Sequence, residues 1–261
     1  MVAAQGLGVP YLSAYLDAVG SNFSHGANFA TWASTIRPQN ITLNRGGFSP
    51  ISLNVQWNQF YQFQSRTQYF RSQGGVYEEL LPKAEYFSEA LYTFDIGQND
   101  LSAGYFLNLS TNEVRSYVPD LMDQFRTIIK NIYGGGGEVF LDTQYRPSWV
   151  SPICDGPSAH QSQPSGPSWM RQPIQRGFRE PLRACCGHGG KYNFNSHVGC
   201  GGKIKVKGKE ILVGKSCKDP SVVINWDEVH YTEAANKWVF DRIVDGSFSY
   251  PPVPLACHRV E

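Results

Sequence analysis

The chain is 261 residues long, 41% hydrophobic and 13% aromatic, and carries 23 basic against 22 acidic side chains for a net charge of +1. That length suits one sizeable α/β domain, 1–261, without forcing two, and the near-neutral balance gives no electrostatic reason to expect nucleic acid or an anionic membrane as partner. A small, neutral or lipid-like substrate fits that balance better, and no apolar run reaches the ~18 residues that a membrane span requires. Met1 to Gly6 has neither the basic start nor the apolar core of a signal peptide. Val9, Leu12, Leu16 and Val19 recur near the helical period and predict a short helix or turn, and 28–36 reads as a loop of small residues. Leu53, Val55, Trp57, Phe60 and Phe63 predict a helix within 50–69. Ala90 to Ile96 has the pattern of a buried strand, and Gly97 ends it. Gln98-Asn99-Asp100 then fall at the strand's C-terminal edge, where open α/β sheets place ligands.

Val114, Val118, Leu121, Phe125, Ile128, Ile129 and Ile132 predict a long amphipathic helix over 113–133, stopped by Gly134 to Gly137. Strand followed by helix is α/β grammar. From Glu138 to Arg176 the chain is rich in Pro, Ser and Gln with neither period, an irregular insert. Order returns at Gly177-Phe178, and Ala234 to Val244 predicts a final helix.

Five of the six cysteines (154, 185, 186, 200, 217 and 257) lie in the final third among Gly-rich loops, which points to disulfides in an oxidising compartment. Their pairing is open at this level. A zinc site would need ligand pairs at C-x-x-C spacing, whereas Cys185 and Cys186 are adjacent, so no metal or other cofactor is expected. Sequons at Asn22, Asn40 and Asn108 agree with an extracellular setting.

Chemistry concentrates in Asn225 to Asn236. Asp227 and His230 stand three residues apart just before a helical pattern, as an acid and an imidazole must if one is to orient the other as general base. Each residue alone has a plainer reading: a lone loop histidine is usually a hydrogen-bonded surface residue, Asn99 could cap the helix that follows it, and Gly26 could be any turn glycine.

Four ordered blocks change that weighting. They are Ser24-His25-Gly26-Ala27-Asn28-Phe29-Ala30, Phe94-Asp95-Ile96-Gly97-Gln98-Asn99-Asp100, Cys185-Cys186-Gly187-His188-Gly189-Gly190-Lys191-Tyr192-Asn193, and Asp219-Pro220-Ser221 through Asn236. Together they resemble the plant GDSL esterase/lipase family of SGNH hydrolases, almost continuously outside 138–176. The resemblance implies a three-layer α/β/α, flavodoxin-like fold with a parallel sheet. It also implies a secreted, monomeric hydrolase acting on a small-molecule, lipid or polysaccharide ester, with neither nucleic acid nor a transmembrane segment. By the same resemblance His230 is the general base, Asp227 its orienting acid, and the Gly26 N–H and Asn99 amide the oxyanion donors. Asp100, His25 and His188 take structural roles, and Cys185, Cys186, Cys200, Cys217 and Cys257 staple loops.

The sequence departs from the family in three places. It contains no Gly-Asp-Ser block to supply the nucleophile, and no G-x-S-x-G elbow replaces it. With suitably chosen codons, Phe140 to Pro147 read one base out of frame gives F-W-I-H-N-T-G-P, the family's next block, and 163–176 behaves similarly, so 138–176 is expected to be frame-shifted. After Arg176 a strand-helix unit of the family is missing. The expectation is therefore a truncated copy with an incomplete sheet, lacking the first strand and a later unit. Its activity stands against the alternative of a non-catalytic remnant or binding-only pseudoenzyme; a lectin-like module has little support beyond composition. Trp32 could crowd the oxyanion glycine, and Glu228, where the family usually has Gly, places a second carboxylate beside the Asp-His pair; either could equally be tolerated in a loop.

Overall fold

The structure, a computed structural model, describes residues 2–17, 19–38, 47–142, 177–180, 182–195, 197–227 and 229–248. Asn40, Cys154, Glu228, Cys257 and most of the predicted insert, from 143 to 176, lie outside the described residues. The chain forms two compact units, Pro10–Pro147 and a second made of Met1–Val9 with Ser148–Glu261.

In the first unit, β1 (Ser13–Ala14) pairs in parallel with β2 (Ala27–Asn28), and β3 (Leu91–Phe94) pairs in parallel with β4 (Val139–Asp142). Between β2 and β3 lie the helices α2 (Leu53–Arg71), α3 (Val76–Leu80) and α4 (Tyr86–Glu89); α5 (Gln98–Phe106) and α6 (Thr111–Gly134) connect β3 to β4. The fold is α/β with an incomplete sheet, the described parallel strands forming two separate pairs.

Helix α2 buries Leu53, Phe60, Phe63 and Thr67, one face of the predicted pattern. Helix α6 opens on a capping box, in which the Glu113 N–H donates to Ser110 Oγ at 3.3 Å and the Ser110 N–H donates to Glu113 Oε2 at 2.7 Å. It buries Val114, Leu121, Phe125, Ile128 and Ile132 and carries Pro119 on its exposed side. Where it ends, the Gly137 N–H returns to the Ile132 carbonyl at 3.0 Å, and Gly136, at φ 101°, takes the left-handed turn that only glycine enters without cost.

These helices close a core of Ile36, Leu53, Phe60, Phe63, Phe87, Leu121, Phe125, Ile128 and Ile132. Edge-to-face aromatic pairs tie the core to the strands, among them Phe60 with Tyr92 at 5.5 Å. Tyr92 donates its hydroxyl to the Phe87 carbonyl at 2.7 Å, and burial pushes its pKa up to about 12.

Two local expectations differ from the structure. Val9, Leu12, Leu16 and Val19 build no helix and are all exposed; a turn follows β1, so that part of the reading holds. Gly8, at φ 68°, and Pro10 interrupt any helix there, and strand pairing claims Ser13 and Ala14. The irregular insert also begins later than expected, because Val139–Asp142 pairs with β3 and Phe140 stacks on Tyr92 at 5.6 Å. Three successive apolar residues too short for a helix were enough to complete a parallel ladder.

The second unit holds α1 (Val2–Leu7), a hairpin of β5 (Lys203–Val206) and β6 (Lys209–Leu212), a 3₁₀ turn at Pro220–Val222, and α7 (Glu233–Val244). Its core is Phe178, Ile224 and Ala235, with Tyr231, Ala234 and Trp238 packed around it. Helix α1 lies against α7 so closely that a Cβ on Gly6 would stand 2.1 Å from the Phe240 ring.

Candidate active site

The segment 225–232 is a tight loop closed on itself. Asn225 bridges Tyr231, the Trp226 N–H donates to the His230 carbonyl at 2.8 Å, and the Thr232 N–H donates to the Ile224 carbonyl at 2.8 Å. Thr232 then caps α7, accepting from the Ala235 N–H at 3.2 Å while its hydroxyl donates to the Val223 carbonyl at 2.6 Å. Inside this frame Asp227 folds over its own backbone as an Asx turn. Its Oδ1 accepts the Val229 N–H at 3.2 Å and the His230 N–H at 2.8 Å.

The same carboxylate holds the His230 ring, with Nδ1 2.9 Å from Oδ1 and 2.7 Å from Oδ2. A carboxylate only accepts, so Nδ1 carries the proton and the neutral ring keeps its lone pair on Nε2. The His230 side chain is 58% exposed and that of Asp227 22%. Burial pushes the Asp227 carboxyl up, but the hydrogen bonds from the His230 side chain and backbone, the attraction of the ring and the Val229 N–H outweigh it, leaving the carboxyl below its ordinary value. The hydrogen bond to Asp227 raises His230; burial works against it and the opposite charge adds to it. The raised imidazole contributes stability below its unfolded value and loses it as pH rises through the folded one. The lowered carboxyl contributes above its unfolded value and loses it as pH falls through the folded one. The ion pair is therefore strongest between about pH 4 and 6.5.

Two disulfides hold this loop from behind. Cys185 joins Cys217 and Cys186 joins Cys200, closing sequence separations of 32 and 14. The Cys185 N–H donates to the Asn225 carbonyl at 2.9 Å, and the Cys186 N–H to the Trp226 carbonyl at 2.6 Å. The adjacent cysteines thus form the ladder on which Asp227 begins. By loop length alone the two cross-links contribute about 3–4 kcal/mol each.

Gly187, next in the chain, admits no side chain, because a Cβ there would lie 2.1 Å from the Asn193 carbonyl oxygen. Asn193 cannot retreat freely, since its Nδ2 donates to the Ala184 carbonyl at 2.9 Å. Gly187→Ala is expected to cost about 1–3 kcal/mol by thermal unfolding. Gly134→Ala, at a helical position with open space, should be neutral or stabilising; equal midpoints for the two variants would refute the contact.

In the first unit, Asn99 is not the helix cap. Gly97 occupies that position at φ 112°, and Asn99 donates Nδ2 to the Ser34 carbonyl at 2.8 Å. Asp100 is 2% exposed, and its two oxygens accept the Ile36 N–H at 2.8 Å and the Arg37 N–H at 3.0 Å. Burial pushes its carboxyl up against the pull of those two N–H groups and the Arg37 charge, and the net direction is up. Arg37 in turn lies over the Tyr117 ring at 5.0 Å and reaches Asp120 at 3.3 Å. The Gly26 N–H closes a turn onto the Phe23 carbonyl at 2.9 Å, with Gly26 at φ 114°. Trp32 projects into solvent at 75% exposure.

Sequence reasoning missed the polar network around Ser34. Its hydroxyl lies 2.8 Å from the Thr31 carbonyl and 2.9 Å from that of Ile51, and Gln56 Nε2 donates to it at 2.9 Å. No periodicity marks such residues; Ser34-Thr35 in a loop of small residues was the only trace. Among the described residues, no group of three or more His, Cys, Asp or Glu side chains could hold a metal ion.

Two parallel strand pairs, one of them joined by a helical crossover, and an imidazole fixed by a carboxylate in the loop before α7, define an α/β protein with the His–Asp pair that acyl-transfer hydrolases use. The chain belongs to the GDSL-like Lipase/Acylhydrolase family, which it matches over residues 2–243. It is 45% identical to the GDSL esterase/lipase At3g26430 of Arabidopsis thaliana, covering 98% of this chain and 80% of that protein. It is also 45% identical to Alpha-L-fucosidase 3 of Arabidopsis thaliana (93% and 77% covered), and 44% to the GDSL esterase/lipase ACHE of Zea mays (98% and 76%). The alignments to the first and third run over 302 and 304 positions, more than the chain's own 261, so both relatives carry segments that this chain lacks. No solved structure matches it significantly.

Proposed function

We propose that the chain carries the base of a serine-dependent carboxylic-ester hydrolase, with His230 as general base and Asp227 as its orienter. The observation that supports this reading most directly is the imidazole held on Nδ1 by Asp227 with most of its ring exposed, which leaves Nε2 able to meet a hydroxyl. In the acylation step a serine Oγ–H gives its proton to Nε2 while Oγ bonds to the ester carbon. The intermediate then collapses with the proton passing to the leaving alkoxide, and water repeats the sequence to release the acid. Asn99 would donate its remaining amide proton to the oxyanion, and Gly26 its N–H once the turn onto Phe23 opens.

A second reading is favoured by one sequence fact, the lack of a Gly-Asp-Ser block in the 261 residues. On that reading the chain retains base and orienter without turnover. The assay that separates the two is hydrolysis of p-nitrophenyl acetate alongside labelling by a serine-directed phosphonate. The enzyme reading expects both signals and a loss of at least ~10³-fold in turnover for His230→Ala; absence of both signals assigns the chain to the second.

We also place the chain in an oxidising, secretory setting, supported by the two disulfides and by the exposure of Asn22 and Asn108. Protein from a secreting plant cell should lose mass on endoglycosidase treatment, and lose none after Asn22, Asn40 and Asn108 are all replaced by Gln. No mass change in the unmodified chain refutes glycosylation.

A further inference from the structure

The whole-chain charge hides a strong local asymmetry. Residues 203–218 contain six lysines (203, 205, 207, 209, 215 and 218) and one acidic residue, Glu210, whereas the whole chain carries a net charge of only +1. Glu210 is spent on Lys203 at 3.5 Å, and Asp219, next in sequence, turns its carboxylate onto the Ser221 N–H and hydroxyl. All six lysines are exposed. Ten of these sixteen residues form the β5–β6 hairpin with its turn at Lys207-Gly208, where φ values of 50° and 79° are those of a tight two-residue connection.

The register sorts the hairpin's side chains into two faces. Ile204 lies opposite Ile211 and Val206 opposite Lys209, while Lys203 lies opposite Leu212 and Lys205 opposite Glu210. Opposed residues share a face and neighbours alternate, so Ile204, Ile211 and Val206 make one apolar stripe with Lys209 at its end. Val206 is 40% and Ile211 44% exposed. Lys203 and Lys205 lie on the opposite face with Leu212, so the stripe has Lys209 at its end and Lys207 at the turn beside it. An exposed apolar stripe with cations at its tip can enter the headgroup boundary while those lysines meet anionic headgroups.

The root of the hairpin strengthens the argument. Cys200 and Cys217 flank it and are bonded to Cys186 and Cys185, the dipeptide whose N–H groups hold the Asn225 and Trp226 carbonyls. Cross-strand bonds continue below the strands, with the Gly201 N–H on the Gly214 carbonyl at 2.8 Å and the Val213 N–H on the Gly202 carbonyl at 3.0 Å. The hairpin is therefore anchored by both legs to the ladder that supports Asp227 and His230.

We propose that the β5–β6 hairpin docks the protein on an anionic lipid surface, so that the ester offered to His230 is one presented at that surface. The implied substrate rests on the ester-hydrolase reading; the docking does not. A soluble acidic polysaccharide would satisfy the lysines but would leave Ile204, Val206 and Ile211 in water.

Flotation of the full chain with phosphatidylcholine vesicles, with and without phosphatidylserine, tests it. Binding is expected only with phosphatidylserine and should fall as salt is raised. Together Lys205→Gln, Lys207→Gln and Lys209→Gln should weaken it by about fivefold per lysine, on the order of 100-fold in all. Val206→Ser with Ile211→Ser should weaken it as well, and His230→Ala should bind as the unaltered chain does. Equal retention on both vesicle types, or a triple variant that binds undiminished, overturns the proposal. So does lysine-dependent capture by polygalacturonate with no vesicle binding. Docking by a chain that does not hydrolyse p-nitrophenyl acetate would refute the hydrolase reading alone, and hydrolysis of that ester without docking would refute the hairpin's role alone.

Discussion

Asp227→Asn should lower turnover by on the order of 10⁴-fold, as the equivalent change does in a serine protease, while leaving the loop folded. The carboxylate accepts three hydrogen bonds, from the Val229 N–H, the His230 N–H and His230 Nδ1. An amide can keep the two backbone donors on its oxygen, but it then presents its NH₂ to the ring. Nδ1 must become the acceptor, which moves the ring proton to Nε2, the atom proposed to receive the serine proton. The titration of His230 reports the same change without any turnover. Asp227 raises the imidazole chiefly through its hydrogen bond and further through its charge, with burial opposing both. Removing the first two leaves burial alone, so the Hε1 signal of His230 should titrate below the ordinary ~6.5 in the variant and above it in the unaltered chain. Because the base works only when neutral, the acid limb of kcat/KM should follow that order. Identical titrations in the two proteins would show that the contact does not exist in solution.

The contact between Asp227 and His230 was legible in the sequence because it is local. An Asp three residues before a His can close an Asx turn and reach the ring within one loop, and Thr232 ahead of Glu233 announces the helix that follows. Helices α2 and α6 were legible for a similar reason, each burying one face at the helical period. What escaped depends on partners distant in sequence. The pairings Cys185–Cys217 and Cys186–Cys200 follow from how the hairpin returns to the dipeptide, which spacing does not encode. Strand β4 escaped because composition was averaged over the long segment that follows it, although Val139–Asp142 needed only an open edge on β3. The helical half of the reading for Val9, Leu12, Leu16 and Val19 erred the other way, since these four periodic positions are exposed and have no partner surface to make the period count. Overall charge carries no information on distribution: a sum of +1 is compatible with six lysines falling within 203–218.

Asp100→Ala should be the most destabilising single change in the first unit. The side chain spans 63 and 64 residues of sequence to bind the Arg37 and Ile36 N–H groups, and both lose their acceptor together. One buried orphaned donor costs about 1–3 kcal/mol and a bond to a charged group stands at the upper end, so roughly 3 kcal/mol is expected for the pair. Against a total stability of ~5–15 kcal/mol, that is a large share. The effect should spread to Asn99, whose amide holds Ser34 two residues from Ile36, and to Tyr117, whose hydroxyl donates to the Asp100 carbonyl at 3.0 Å. Asp100→Asn should recover about half, because its oxygen still accepts one N–H while its NH₂ faces the other. The two variants also differ in their pH response. Burial, the larger influence, holds the Asp100 carboxyl above its ordinary value. The folded chain thus binds this proton more tightly than the unfolded one, and the stability so gained is present below about pH 4 and lost as pH rises through the raised value. The deficit of Asp100→Asn relative to the unaltered chain should therefore shrink with rising pH across that window. Urea midpoints at several pH values would measure it, and a deficit that grows with pH would mean that the two backbone N–H groups outweigh burial at this carboxylate.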